Sequence, residues 1–249
     1  MSVLEIRNLV VQVEEQKIFD QISFELENKE CLLIVGSHGY YNGILLNTIV
    51  GFYEPAEGAV TFEGVDIYSK TEEELVALRK KVSFVFQEGV FLANLSVLEN
   101  LLLPVKFYSK KFIQSKVMKE IKEYCDFFEV PPVLQKRPAF ISYTSKKLLS
   151  LIRALITHPE MIILNKPLFN LDIRNQKRVI HVLKEMKSQG KTLVISSNSF
   201  DVIKALADRV IHIEKKDIKK ILNRQDKDFI QQVKQLDILS DLVGVEDEI

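Results

Sequence analysis

Five short apolar runs constrain the fold more than anything else in this chain: Leu32–Val35, Val82–Phe86, Met161–Leu164, Thr192–Ser196 and Arg209–Ile213. Each has the length of a buried strand, and helical stretches separate several of them. That arrangement calls for a mainly parallel sheet with crossover helices. Ahead of them, residues 3–13 and 18–25 read as strands, with Phe24 and Leu26 continuing a period of two. Between Gly89 and Glu160 the pattern turns helical without strands, an inserted lobe punctuated by Pro104, Pro131-Pro132 and Pro138. The expected organisation is a body over residues 1–220, with the helical lobe at about 89–160, and a helical tail over 221–249. In the tail, Phe229, Val233, Leu236, Leu239 and Val243 fall three or four apart, as on one helix face. Two readings of that face stand: it docks on its own domain, or it clasps a partner.

The first of the buried runs leads into Gly36-Ser-His-Gly-Tyr-Tyr-Asn-Gly-Ile44, and Leu45–Val50 leads out like a packed helix. This is where a phosphate loop belongs. Such loops read Gly-x-x-x-x-Gly-Lys-Ser/Thr: backbone N–H groups cradle phosphates, the lysine reaches the terminal ones, and the hydroxyl binds Mg²⁺. Gly36 and Gly39 remain, whereas Tyr41 stands for the last glycine, Asn42 for the lysine and Gly43 for the hydroxyl residue. If the loop keeps its shape, Tyr41 would meet a steric penalty at positive φ. Either one ring of Tyr40-Tyr41 fills the vacated phosphate site, or the pair faces solvent on an idle loop. His38 is a loop histidine.

Composition excludes several classes. Lys+Arg and Asp+Glu both total 34, and no basic stripe argues for nucleic acid. The best basic candidate, Lys215–Lys220, reads as a solvated turn. Cys31 and Cys125 have no metal-ligand spacing and read as free thiols of a cytosolic protein. No signal-peptide pattern opens the sequence, and no apolar run nears the about 18 residues that cross a bilayer. Membrane association is therefore expected through a partner.

Further landmarks agree in order and spacing. Phe84-Val85-Phe86-Gln87 follows the helical stretch Glu72–Lys80. Ile141-Ser142-Tyr143-Thr144-Ser145 precedes Arg153-Ala154-Leu155 and His158-Pro159. Asn165-Lys166-Pro167 ends the third apolar run, and Leu171-Asp172 follows it. Asn198 follows Leu193–Ser197, and Ala207-Asp208 opens the last run. Together these landmarks resemble the ATP-binding cassette (ABC) ATPase family over roughly residues 3 to 220. The resemblance implies an α/β P-loop cassette with a mainly parallel central sheet, an N-terminal antiparallel β portion and an inserted helical lobe. Residues Phe86–Pro104 most resemble the ATPases of Mce-type lipid transporters.

Carried over position by position, the family's chemistry meets substitutions. Asn42 stands for the lysine, Gly43 for the metal-binding hydroxyl, Asn165 for the metal-linked aspartate, Lys166 for the general-base glutamate and Asn198 for the switch histidine. Val13 stands near the adenine-stacking aromatic, and Gln87 and Asp172 are kept. The signature segment Ile141-Ser142-Tyr143-Thr144-Ser145 keeps only Ser142, and its Tyr143 and Thr144 crowd an approach that glycines would leave open. An amide carries no charge and a protonated lysine accepts no proton. Lys166 is read either as paired with Asp172 or Asn165, or as exposed.

The expectation is therefore a pseudo-ATPase with no catalytic residues, metal or cofactor of its own. ATP and Mg²⁺ would sit on an active paralogous ATPase in a heterodimer. Gln87, Val90 and Phe91 would help dock a membrane permease at the cytoplasmic face, with accessory lipid-transport subunits and no nucleic acid. Three alternatives remain: a divergent active ATPase with compensating residues, a nucleotide or anion sensor, and a soluble scaffold.

Overall fold

The computed structural model describes residues 2–36, 39–69, 71–108, 113–214 and 216–236. Two long strands come first, β1 (Ser2–Val13) and β2 (Gln16–Glu27), then β3 (Cys31–Gly36) and helix α1 (Gly39–Ile49). A hairpin, β4 (Glu57–Phe62) and β5 (Val65–Asp66), precedes α2 (Glu72–Lys81) and β6 (Val82–Val85). Between β6 and β7 (Met161–Asn165) the described residues form α3 (Val97–Tyr108), α4 (Gln114–Phe127), a 3-10 turn (Pro138–Phe140) and α5 (Tyr143–Leu155). The remaining elements are α6 (Ile173–Ser188), β8 (Thr192–Ser196), α7 (Phe200–Leu206), β9 (Arg209–Glu214), β10 (Asp217–Asn223) and α8 (Phe229–Lys234).

The strands make two sheets. One, ordered β2-β1-β4-β5, is antiparallel. The other, ordered β10-β9-β3-β8-β7-β6, is parallel except for β10, which pairs antiparallel with β9. The central sheet is apolar on both faces because each of its strands serves two cores. In β3, Cys31, Leu33 and Val35 enter the core shared with the helices α3, α5, α6 and α7. Leu32 and Ile34, pointing the other way, enter the core shared with α1 and the antiparallel sheet. All five are fully buried. Burial of this kind stabilises the fold by about 1.5–3 kcal/mol for each large side chain. The five apolar runs thus all became strands of one sheet.

Several boundaries differ from the sequence reading. Pro104 does not interrupt the helical segment but lies inside α3. Ser96 and Glu99 form a capping box that fixes where α3 begins: the Ser96 N–H donates to Glu99 Oε2 at 2.7 Å, and the Glu99 N–H to Ser96 Oγ at 3.2 Å. Residues 217–220, read as part of a solvated turn, enter the edge strand β10, whose exposed Lys219 and Lys220 suit a strand with one unpaired side. That strand also runs across the boundary drawn at residue 220. Phe229, Val233 and Leu236 are buried in the core of their own chain, so for these three the docking reading holds. Leu239 and Val243 lie outside the described residues.

Candidate functional site

The carboxyl ends of β3, β7 and β8 lie side by side, and the switch from strand to helix or loop occurs there in each. Sheets of this kind place their ligands at that edge. Gly36 closes β3, Asn165 closes β7, and Asn198 follows β8 by one residue after Ser197. Three of the positions singled out in the sequence, Gly36 lying more than a hundred residues before the other two, therefore meet in space.

Helix α1 already starts at Gly39, so Tyr40, Tyr41, Asn42 and Gly43 are helical rather than part of an open loop. The anticipated strain at Tyr41 does not arise, because its φ is not positive. Its ring turns inward to meet Phe19 edge-on at 6.2 Å, while Tyr40 stays 58% exposed. Neither of the two readings of the pair describes this split arrangement. Ser37 and His38 lie outside the described residues. The first amides of α1 lack carbonyl partners within the helix, and its dipole presents a partial positive charge at Gly39.

The group packed against Gly39 is the ammonium of Lys166. A β-carbon built on Gly39 would fall 1.9 Å from Lys166 Nζ, so the two already touch. Lys166 holds a left-handed backbone, φ 45°, a conformation that costs an ordinary residue roughly 1–2 kcal/mol. Three bonds hold it there: its N–H donates to the Ser196 carbonyl at 3.0 Å, and its own carbonyl accepts Lys147 Nζ at 2.8 Å and the Phe169 N–H at 3.1 Å. Of the alternatives for Lys166, the pairing with Asp172 is not formed, and the side chain is half-buried rather than exposed. Asp172 instead caps α6, accepting the Asn175 N–H at 2.9 Å, and this bond holds its carboxyl below the usual carboxylate range.

Asn198 clasps the base of the loop at two points. Its Nδ2 donates to the Gly36 carbonyl at 2.8 Å and its Oδ1 accepts the Gly36 N–H at 3.2 Å. Asn42 is 2% exposed, and its Oδ1 faces Gly36 with no hydrogen-bond partner. Asn165 Oδ1 is likewise a buried acceptor without a donor, and Asn165 Nδ2 faces Gly43. Buried polar atoms of this sort ordinarily have a partner in protein, water or ligand.

Sequence reasoning missed Lys147. It lies among leucines on the buried face of α5 and donates to the Lys166 and Phe169 carbonyls, the second bond at 2.7 Å. Burial pushes its pKa down to about 8, opposed by Glu88 and aided by Lys166. Its position within the apolar periodicity of α5 is the signal that could have found it. The signature residues begin that helix: Ser142 is the N-cap, accepting the Ser145 N–H at 3.1 Å, after buried Ile141 and before half-buried Tyr143 and Thr144.

Gln87 is half-buried two residues beyond β6, and Gly89 after it has no room for a side chain against the Lys146 backbone. Val90 is exposed, but Phe91 lies under the Arg153 guanidinium, 5.0 Å from its ring centre. Nearby, Phe84 meets Phe86 and Phe52 edge-on, Phe52 lies tilted against Phe86, and Phe52 and Phe84 border a groove of about 550 Å³ with Val50, Leu75, Leu78 and Tyr108. Val13, at the end of β1, packs against the second core.

As a donor set, this edge offers a helix N-terminus, an ammonium and two amides, which fit the phosphates of a nucleotide. Asn165 and Gly43 supply no carboxylate or hydroxyl to a metal, and the described residues hold no cluster of three His, Cys, Asp or Glu.

Comparison with known proteins adds to this geometry. Residues 19–169 match the family model described as "ABC transporter". The chain is 31% identical over 192 residues to an ABC transporter ATP-binding protein of Caldanaerobacter subterraneus, covering 76% of this chain and 78% of that one. It is 24% identical over 225 residues to the phosphonates import ATP-binding protein of Fusobacterium nucleatum, covering 87% and 91%. Among solved structures, a nucleotide-free ATP-binding cassette from an ABC transporter superposes with a TM-score of 0.74 at 26% identity, over 100% and 99% of the two chains. These matches overturn the expectation that the chain is no enzyme. Its relatives are named ATP-binding proteins and its structural neighbours ATP-binding cassettes, one of them in a post-hydrolysis state with ADP and Pi, which points to an ATPase. The contrary expectation rested on substitutions read one position at a time.

Proposed function

The chain belongs to the ABC transporter family, and from that premise we propose that it is an ATP-binding subunit that drives a membrane permease. The observation that carries the reading is the abutment of the α1 N-terminus and the Lys166 ammonium at the carboxyl edge of the parallel sheet. A nucleotide bound there supplies the phosphoanhydride whose hydrolysis does work on the permease. Of this chain's own groups, Asn198 fixes the base of the loop, the first turn of α1 offers amides, and Lys166 offers charge. The proposal therefore places nucleotide on this chain rather than solely on a partner.

No described helix is long and apolar enough to cross a membrane, so attachment to the bilayer is proposed through the permease. The groove beside Phe52 and Phe84 combines apolar side chains with Glu54 and Arg79, suited to an amphipathic helix from such a partner. A second ATP-binding subunit, facing the Ser142 end of α5, completes the proposed assembly. Lipid cargo rested on residues Phe86–Pro104. In that segment Val97, Leu101 and Leu102 are core residues, so lipid cargo stands on the resemblance of the segment alone.

The test is to isolate, by a tag on this chain, the assembly from detergent-solubilised membranes and weigh it by native mass spectrometry. The expected mass contains this chain, a permease and a second ATP-binding subunit, in an assembly that hydrolyses ATP. Recovery of this chain free of any membrane protein and unable to bind ATP would refute the reading.

A further inference from the structure

Lys166 Nζ touches Gly39, the first residue of α1, and makes no ion pair among the described residues. An ammonium against the positive end of a helix dipole is a repulsive arrangement unless an anion lies between or beside them. The Lys147 ammonium, bonded to the Lys166 carbonyl, adds a second positive charge to the same region. Phe169 offers the Lys166 ammonium a ring face, 5.8 Å from Nζ. A charge held in this way, on a strained left-handed backbone, is poorly compensated by protein alone; strained residues of this kind cluster at ligand sites.

Asn42 points independently to a ligand. It is 98% buried at the same helix start, it carries an unpartnered polar atom, and that atom is aimed at Gly36 on the floor of the loop. The two ends of its amide fill the same volume, so the side chain presents a donor to an oxyanion after a half-turn of the amide.

We infer that Lys166 is the phosphate-contacting cation of this site, reaching Gly39 from the end of β7 and supplying the charge that Asn42, on α1, does not. The ligand chemistry is a phosphoryl group, met by one ammonium and the first amides of α1. Lys166 is therefore a binding residue, carried just after β7 rather than on α1, where the usual lysine position falls. The inference rests on the nucleotide reading above and deepens it.

The experiment measures binding by the full-length chain of three probes: ATP, inorganic pyrophosphate and adenosine. The variants are Lys166→Gln, Lys166→Arg and, as a charge control on the exposed face of α6, Lys177→Met. Loss of one charge-assisted contact should weaken ATP and pyrophosphate about 10- to 100-fold in Lys166→Gln. Lys166→Arg should keep most of the affinity, Lys177→Met all of it, and adenosine should bind every variant alike. Matching thermal melts of the unliganded variants separate this from a folding defect, and the Arg variant keeps the test valid if Gln unfolds. Equal ATP affinity in wild type and Lys166→Gln overturns the inference while leaving the nucleotide reading intact. Wild type that binds pyrophosphate through Lys166 but not ATP sinks the nucleotide reading and keeps the anion site. Binding of neither probe overturns both.

Discussion

Replacing Lys147 by methionine should change how stability depends on pH, and the size of the change follows from its surroundings. Lys147 is 2% exposed, and burial pushes its pKa from 10.5 down to about 8 in the folded chain. Its two carbonyl bonds, 2.8 and 2.7 Å, favour the charge but do not outweigh desolvation. Between those two values the unfolded chain binds more protons at this lysine than the folded chain does, so folding grows more favourable as pH rises. At most this amounts to about 1.36 kcal/mol per pH unit. Integrated from about pH 7.5 to about pH 9.5, the gain is about 2 kcal/mol.

Two thiols act in the opposite sense. Burial pushes Cys125 up to about 11 and Cys31 further still, so unfolding releases their protons above about pH 9 and stability falls there. The readout is therefore the difference between wild type and Lys147→Met in urea denaturation, in which the thiols cancel. The free energy of unfolding of wild type, relative to the variant, should rise by about 2 kcal/mol across that window. A difference that stays flat, or falls, would show that Lys147 keeps its ordinary pKa and that the reasoning from burial is wrong.

Asn198→Ala removes both bonds to Gly36 and should lower stability by about 1–3 kcal/mol, read from the melting temperature; an unchanged melt would mean the clasp holds nothing. Gly89→Ala places a β-carbon 2.6 Å from the Lys146 backbone, so the segment or α5 must shift, at a cost of about 1–3 kcal/mol in chemical denaturation. Gly39→Ala obstructs only the free end of a flexible side chain; it should leave the denaturation midpoint near wild type while weakening ATP binding, and undiminished binding would contradict the contact between Gly39 and Lys166.

The sequence carried the central sheet clearly, because runs such as Leu32–Val35 and Met161–Leu164 are apolar on both faces and admit few other placements. The hairpin of β4 and β5 escaped notice. Its turn is Glu63-Gly64, both at positive φ, and β5 has only two residues, too few to show a period. β10 escaped for another reason: an edge strand studded with lysines has the composition of a turn. At the site, motif spacing placed Gly36, Asn165 and Asn198 at one edge, since topology alone brings those strand ends together. The aim of Lys166 could not be read in advance. It depends on one left-handed residue and on a carbonyl held by Lys147, neither of which leaves a periodic mark.

Gly89 has a mechanical consequence. With its Cα seated flush on the Lys146 backbone, the segment after Gln87 and the helix that starts at Ser142 share a boundary with no slack. A push delivered to residues 87–90 from outside reaches the first turn of α5 without first closing a gap. Any load applied at that surface is therefore transmitted as displacement of the helix start rather than absorbed as local compression.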